Sequence, residues 1–292
     1  MLHSRPSSYT VRFIDLPLSR LHIIESGKGK PLIMLPATIS ELENWKTLTQ
    51  FMAQWFHVYF FELPGHGESS AFQERFSSQK VAELVEQLVD ALGYENFNLM
   101  GFSFGGILAM QTFKRLSHRI DRIIMIAPCV DHHAILYSAF RLSLLYNFNR
   151  FLSLPRIQGH FNELLHNKHT VHLVVKLLQK VGRLERTIPL EEKFSRTPES
   201  TVAVLNAQVS EILTAEFDVA PVKYNTPCYF AMSINDPLLH FETTLDILQK
   251  HFANINIVRL AYPFHQAPRP FTYDEFNRDF YKTVAAFMHV KI

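Results

Sequence analysis

The sequence predicts an α/β fold: a mostly parallel central sheet with helices on both faces, interrupted by an inserted helical cap. Three observations lead there. Short apolar runs alternate with segments of helical spacing over most of the 292 residues. Several runs, "PLIML" and "IIMI" among them, are apolar at every position, as a strand covered on both faces must be. Between 131 and 221 the alternation stops, and the chain reads as helix with little strand signal.

The elements follow in order. "YTVRFIDLP" and "SRLHIIESG" form an opening antiparallel hairpin, ended by the turn "GKGKP". "PLIMLPA" is a buried strand, and "ENWKTLTQFMAQW" has helical spacing at Trp45, Leu48, Phe51, Met52 and Trp55. "HVYFFELPG" is the next strand. "SSQKVAELVEQLVDALGY" is an amphipathic helix with a serine start and Gly93 at its end. The strand "FNLM" runs into the helix "GGILAMQTFKRL", and "RIDRIIMIAP" gives another strand. After the helical stretch, "PCYFAMS" and "INIVRLAY" are strands separated by the helix "FETTLDILQKHF". The helix "YDEFNRDFYKTVAAFMHV" closes the series. Residues 1–130 and 222–292 therefore read as one core domain. Residues 131–221 read as a cap over the C-terminal edge of the sheet, where open α/β sheets bind ligands.

A formal charge of +2 gives no case for nucleic acid as a partner. The 25 phenylalanines call for a large apolar core, an apolar ligand cavity, or both. Cys129 and Cys228 lie far apart with no CxxC pair, which suits buried, reduced thiols and argues against a structural zinc site. "MLHSRPSSYTVRF" has no apolar signal-peptide core, and no run of about 18 apolar residues marks a membrane span. The expectation is a cytoplasmic protein without stable membrane insertion.

Of only 10 glycines, Gly101, Gly105 and Gly106 surround Ser103 in "LMGFSFGGIL". The stretch lies between a predicted strand and a predicted helix. A serine held at a sharp strand-to-helix bend is crowded at its second neighbours, and glycine removes those collisions. The helix that starts there points its positive end at the serine and favours negative charge on a reacting oxygen. Elsewhere in a chain the same pentapeptide would be turn chemistry; in this setting it marks a nucleophile.

These residues resemble the α/β-hydrolase superfamily, in its serine-nucleophile, cap-bearing form. Gly101-Phe102-Ser103-Phe104-Gly105 is similar to the family's nucleophile elbow. "ELPGHGESS" is similar to its D-x-x-G-H-G-x-S stretch, with Glu62 in place of the usual aspartate, and "PLIMLPATISELENW" resembles the strand and loop that carry His-Gly, or in some subgroups Leu-Pro-Gly-Thr. The resemblance covers nearly the whole chain outside the cap.

A serine hydroxyl needs a base and a group that orients the base. The resemblance implies the order serine, acid, histidine. His265, in "LAYPFHQAP", follows the last predicted strand and takes the position of the family's histidine. His66 takes a structural position in the "PGHG" turn, and His240 reads as a surface or lid residue. Two acids compete. Asp236, in "SINDPLLH", is favoured because its flanks resemble the family's acid loop; Asp131, in "APCVDHH", follows the preceding strand and is otherwise a helix cap. The oxyanion hole requires two donors: the backbone N–H of Phe104 and, by motif register, that of Thr38, with Ala37 its neighbour. Pro36-Ala37 replaces the commoner His-Gly, which removes a glycine from that loop.

In the cap, "YSAFRLSLLYNFNRFLSLP" combines large apolar residues with Arg141 and Arg150, and Lys176, Lys180, Arg183 and Arg186 continue the theme. A greasy lid with a basic outer face would make weak contact with lipid; the plainer reading buries the apolar stripe on the core and leaves the cations solvated. Together these features imply a serine hydrolase for a small ester or thioester with a hydrophobic acyl group, needing no cofactor and no metal. An acyltransferase or a carbon–carbon hydrolase would use the same residues, and a ligand-binding protein could keep the fold without turnover. Serine at the elbow argues against haloalkane dehalogenase or epoxide hydrolase chemistry, which uses a carboxylate there.

Overall fold

The computed structural model describes residues 7–154, 199–217 and 223–289, with the single positions 157 and 172. Among these residues the strands are β1 (Tyr9–Asp15), β2 (Arg20–Gly27), β3 (Pro31–Leu35), β4 (His57–Phe61), β5 (Phe97–Phe102), β6 (Ile120–Ile126), β7 (Cys228–Ser233) and β8 (Ile255–Leu260). The helices are α1 (Leu42–Met52), α2 (Ser78–Ala91), α3 (Gly105–Leu116), α4 (Ala139–Leu152), α5 (Glu199–Thr214), α6 (Phe241–His251) and α7 (Tyr273–Met288).

One sheet holds the strands in the order β1-β2-β4-β3-β5-β6-β7-β8. β1 and β2 pair antiparallel, β2 pairs antiparallel with β4, and every pair from β4 through β8 is parallel. Strand–helix alternation predicts this arrangement, because parallel neighbours need crossovers long enough for a helix.

All five residues of β3 are buried, and they divide by parity. Ile33 and Leu35 join a core with Leu84, Leu88, Phe104, Leu108 and Phe113 beneath α2 and α3. Leu32 and Met34 join Trp45, Phe51, Phe280 and Phe287 beneath α1 and α7 on the other face. The period of two that sends successive side chains to opposite faces thus gives each face its own core. Helix starts are set by short polar side chains: Ser77 accepts from the Lys80 N–H at 3.3 Å, and Thr272 and Glu275 form a reciprocal capping box on α7.

Of 131–221, the described residues supply α4, α5 and short connecting turns, and no strand of the sheet. Lys176, Lys180, Arg183 and Arg186 lie outside the described residues. α5 is fastened to the core at two points: Thr201 Oγ1 donates to the Gly65 carbonyl at 2.6 Å, and the Ser78 N–H donates to Glu211 Oε1 at 2.9 Å. Much of the apolar surface of α4 stands exposed, with Phe140 at 78% and Leu144 at 60%. No helix among the described residues is long and apolar enough to cross a membrane.

Candidate active site

Ser103 sits between the end of β5 and the start of α3 with φ +52°, in the left-handed region. For a residue with a Cβ this conformation costs about 1–2 kcal/mol, so the surroundings must hold it. They do so through the backbone: the Ser103 N–H donates to the Ile126 carbonyl at 3.1 Å, and its carbonyl accepts from the N–H of Cys129 and of Gly106, each at 2.8 Å. The glycines make the bend fit. A Cβ on Gly101 would lie 2.2 Å from the Gly105 carbonyl oxygen. One on Gly106 would lie 2.7 Å from that of Cys129.

From this bend Ser103 Oγ meets His265 Nε2 at 2.7 Å, across 162 residues of sequence. His265 follows β8 and presents Nδ1 to Asp236 Oδ2, also at 2.7 Å. Asp236 follows β7, and its Oδ1 accepts from the N–H groups of Leu238 and Leu239 at 2.8 and 3.0 Å. An ionised carboxylate can only accept, so the imidazole proton belongs on Nδ1, leaving Nε2 to accept from the serine hydroxyl. Burial pushes the Asp236 carboxyl up, but the hydrogen bond and charge of His265 and the two backbone donors prevail, and it lies below its ordinary value. The imidazole side chain is 10% exposed and that of Asp236 is 1% exposed.

Asp131 is engaged elsewhere. Its Oδ1 accepts from the His133 N–H and pairs with His133 Nδ1, each at 2.8 Å, capping a short 3-10 turn. His240 caps α6 by accepting the Thr243 N–H. His66 is buried in the "PGHG" turn, and burial alone lowers its pKa to about 4, so it stays neutral near pH 7. Asp131, His132 and His133 bring one ligand atom each within 4.8 Å of one another, on consecutive residues with His133 exposed.

Phe104, buried, is the first residue past Ser103 and precedes α3. Thr38, half-buried, lies in the loop from β3 to α1. That loop passes directly over the elbow, because a Cβ on Gly105 would lie 2.3 Å from the Leu35 carbonyl oxygen and 2.7 Å from that of Pro36. Two ties on the loop are absent from the sequence reading. The Trp45 indole donates to the Ile39 carbonyl at 3.1 Å, and Ser40 Oγ accepts from the Leu63 N–H at 2.9 Å. Glu62, noted in the sequence only as a departure from aspartate, accepts from the N–H of Leu42. That departure was the one available signal.

Among curated relatives, epoxide hydrolase 4 of Mus musculus is 28% identical over 193 residues, 62% of this chain and 52% of that protein. The pimeloyl-[acyl-carrier protein] methyl ester esterase of Nitrosomonas europaea is 25% identical over 119 residues, 40% of this chain and 45% of that protein. The chain spans about a third to a half of the length of the curated relatives it matches. A solved structure of epoxide hydrolases from metagenomes of hot environments shares the fold at a TM-score of 0.72 and 18% identity, covering 97% of this chain and 100% of that one. Residues 30–256 match the family described as alpha/beta hydrolase fold. With a parallel sheet, a strand–serine–helix bend, and a histidine and an acid supplied by the loops after the last two strands, the chain belongs to the alpha/beta hydrolase fold family.

Proposed function

We propose that the protein is a serine hydrolase that cleaves a carboxylic ester or thioester with a hydrophobic acyl group through an acyl-enzyme. The observation that carries this reading is the unbroken line of two 2.7 Å contacts from Ser103 Oγ through His265 to Asp236. Ser103 Oγ attacks the carbonyl carbon while His265 Nε2 takes its proton, and Asp236 stabilises the imidazolium. The N–H groups of Phe104 and Thr38 receive the negative oxygen of the tetrahedral intermediate. The bond to the leaving alcohol or thiol breaks, and His265 returns the proton to it. Water, deprotonated by His265, then attacks the acyl carbon, the acid departs, and the proton goes back to Ser103 Oγ.

The nature of the nucleophile separates this reading from epoxide opening, the activity named for several relatives. A carboxylate that opens an epoxide leaves an ester, which water can cleave at its carbonyl. A serine that did so would leave an ether, with no carbonyl to attack. The esterase relative from Nitrosomonas europaea agrees with an acyl substrate. The Phe- and Leu-rich composition of α4 supports a hydrophobic acyl group.

The test is mass-mapped labelling by a fluorophosphonate, beside turnover of p-nitrophenyl esters of increasing chain length. Label on Ser103 in wild type is expected, with turnover lowered about 1,000-fold or more in Ser103→Ala and His265→Ala. Folded wild type with neither label nor turnover would mark a ligand-binding protein instead. Product that forms only when an alcohol or amine acceptor is added would mark an acyltransferase.

A further inference from the structure

Glu62 is 5% exposed at the end of β4, and its carboxylate gathers donors from separate segments of the chain. Oε1 accepts from the Leu42 N–H at 3.0 Å. Oε2 accepts from the Glu68 N–H at 2.7 Å and meets His22 Nδ1 at 3.0 Å. The turn "PGHG" is shaped to close around this group: Gly67 has φ +50°, and a Cβ there would lie 2.1 Å from Oε2. Burying a carboxylate is costly unless its lone pairs are met, and here both oxygens are engaged.

The contact with Leu42 bears most on the chemistry. Leu42 opens α1, and the preceding Glu41 offers no side-chain cap, so Glu62 supplies from across the fold the acceptor and the negative charge that a helix start needs. Ser40, two residues earlier, is tied to Leu63, the residue after Glu62. The Trp45 indole holds the Ile39 carbonyl next to Thr38. The β3–α1 loop is therefore fixed from Ile39 to Leu42 by the β4 end and by α1, and Thr38 hangs from that fixed point.

We propose that Glu62 is a positioning residue for the oxyanion hole: its carboxylate sets the β3–α1 loop so that the Thr38 N–H meets the negative oxygen of the transition state. This rests on the serine-hydrolase reading above. It acts through Leu42 and Thr38 and touches neither Ser103 nor the substrate. Because a donor displaced by about 1 Å is felt in the transition state more than in the bound ester, the effect falls on kcat.

The variants Glu62→Gln, Glu62→Asp and Ser40→Ala test it on the full chain, with kcat expressed per serine titrated by the fluorophosphonate. Glu62→Gln keeps one acceptor and turns an amide toward a backbone donor. It should lower kcat by about 10- to 100-fold with KM within about 3-fold of wild type. Glu62→Asp, one methylene short of spanning Leu42 and Glu68, should fall between, and Ser40→Ala should show a smaller loss of the same kind. Lower melting temperature with unchanged kcat per titrated serine would overturn the proposal and leave Glu62 purely structural. If Glu62→Gln does not fold, unchanged kcat in Ser40→Ala and Glu62→Asp overturns it equally. Unlabelled, inactive wild type would instead overturn the hydrolase reading itself, and this proposal with it.

Discussion

Asp236 divides its two oxygens between different tasks: Oδ2 meets His265 Nδ1 at 2.7 Å, while Oδ1 takes the N–H groups of Leu238 and Leu239. The backbone pair fixes the carboxylate, and the carboxylate fixes the imidazole tautomer. Asp236→Asn keeps the shape but presents either an amide proton or a neutral oxygen to Nδ1. Ester turnover should fall about 10,000-fold with little change in fold. Asp131→Asn, whose partner is His133, should stay within about 3-fold. Steady-state kinetics on the two variants decides between the acids; the reverse ranking would move the acid to Asp131. The same carboxyl has an acid signature. Its folded value lies below the ordinary 3.8, so it stabilises the fold above that pH, and this is lost as pH falls through the folded value.

His66 titrates with the opposite consequence for its charge. Its pKa is lowered from 6.5 to about 4 by burial, so below pH 6.5 the unfolded chain binds a proton that the folded chain refuses. Stability should fall by about 3 kcal/mol between pH 6.5 and 4 on this account. Urea midpoints measured across that range, in wild type and His66→Gln, should show the slope in the first and its loss in the second. An imidazole resonance of His66 that titrates near 6.5 would contradict it.

Gly105 and Gly93 separate crowding from conformation. A Cβ on Gly105 meets the Leu35 carbonyl oxygen at 2.3 Å, and backbone cannot swing aside. Gly105→Ala should cost about 2–3 kcal/mol and disturb the elbow. Gly93 ends α2 at φ +75° with nothing within 4 Å of its Cβ position, so Gly93→Ala should cost only about 1 kcal/mol and leave turnover intact. Thermal melts with activity assays compare the two; equal losses would refute the distinction.

Both cysteines are free and buried. Burial, with the charge of Asp131, pushes the Cys129 thiol up to about 12, and burial alone raises that of Cys228. Neither should react with a disulfide reagent at pH 8 in the native protein, and both should react in guanidinium. Fast native labelling of either would show that the sheet opens around it.

The sheet was legible because its signals are local. β3 and β7 are buried along their whole length, and such strands leave a continuous apolar run. Ser103 was legible because glycines are scarce in this chain and three of them surround it. The choice between Asp236 and Asp131 was harder, since both follow parallel strands; the flanks of Asp236 favoured it, and the structure places Asp236 against His265 and Asp131 against His133. Glu62 was read as a simple departure because its partners, His22, Leu42 and Glu68, are scattered along the chain and share no periodicity. The exposure of α4 was hidden for a similar reason: a helix rich in Phe and Leu shows an apolar surface without showing what lies against it.

The span of 162 residues between Ser103 and His265 bears on how the protein comes into being. A growing chain can complete the hairpin, β3 to β6 and the elbow long before the histidine has been made. At that stage it holds Ser103 in its left-handed bend beside α3, without the His265 imidazole that meets its hydroxyl. The edge of β6 that waits for β7 is apolar and unpaired, a hazard in a half-made protein. The contact between Ser103 and His265 therefore forms only once the strands that cover that edge have been made. On the serine-hydrolase reading proposed above, a copy still lacking His265 has no base for Ser103, and the order of synthesis keeps the serine silent until the rest of the sheet is in place.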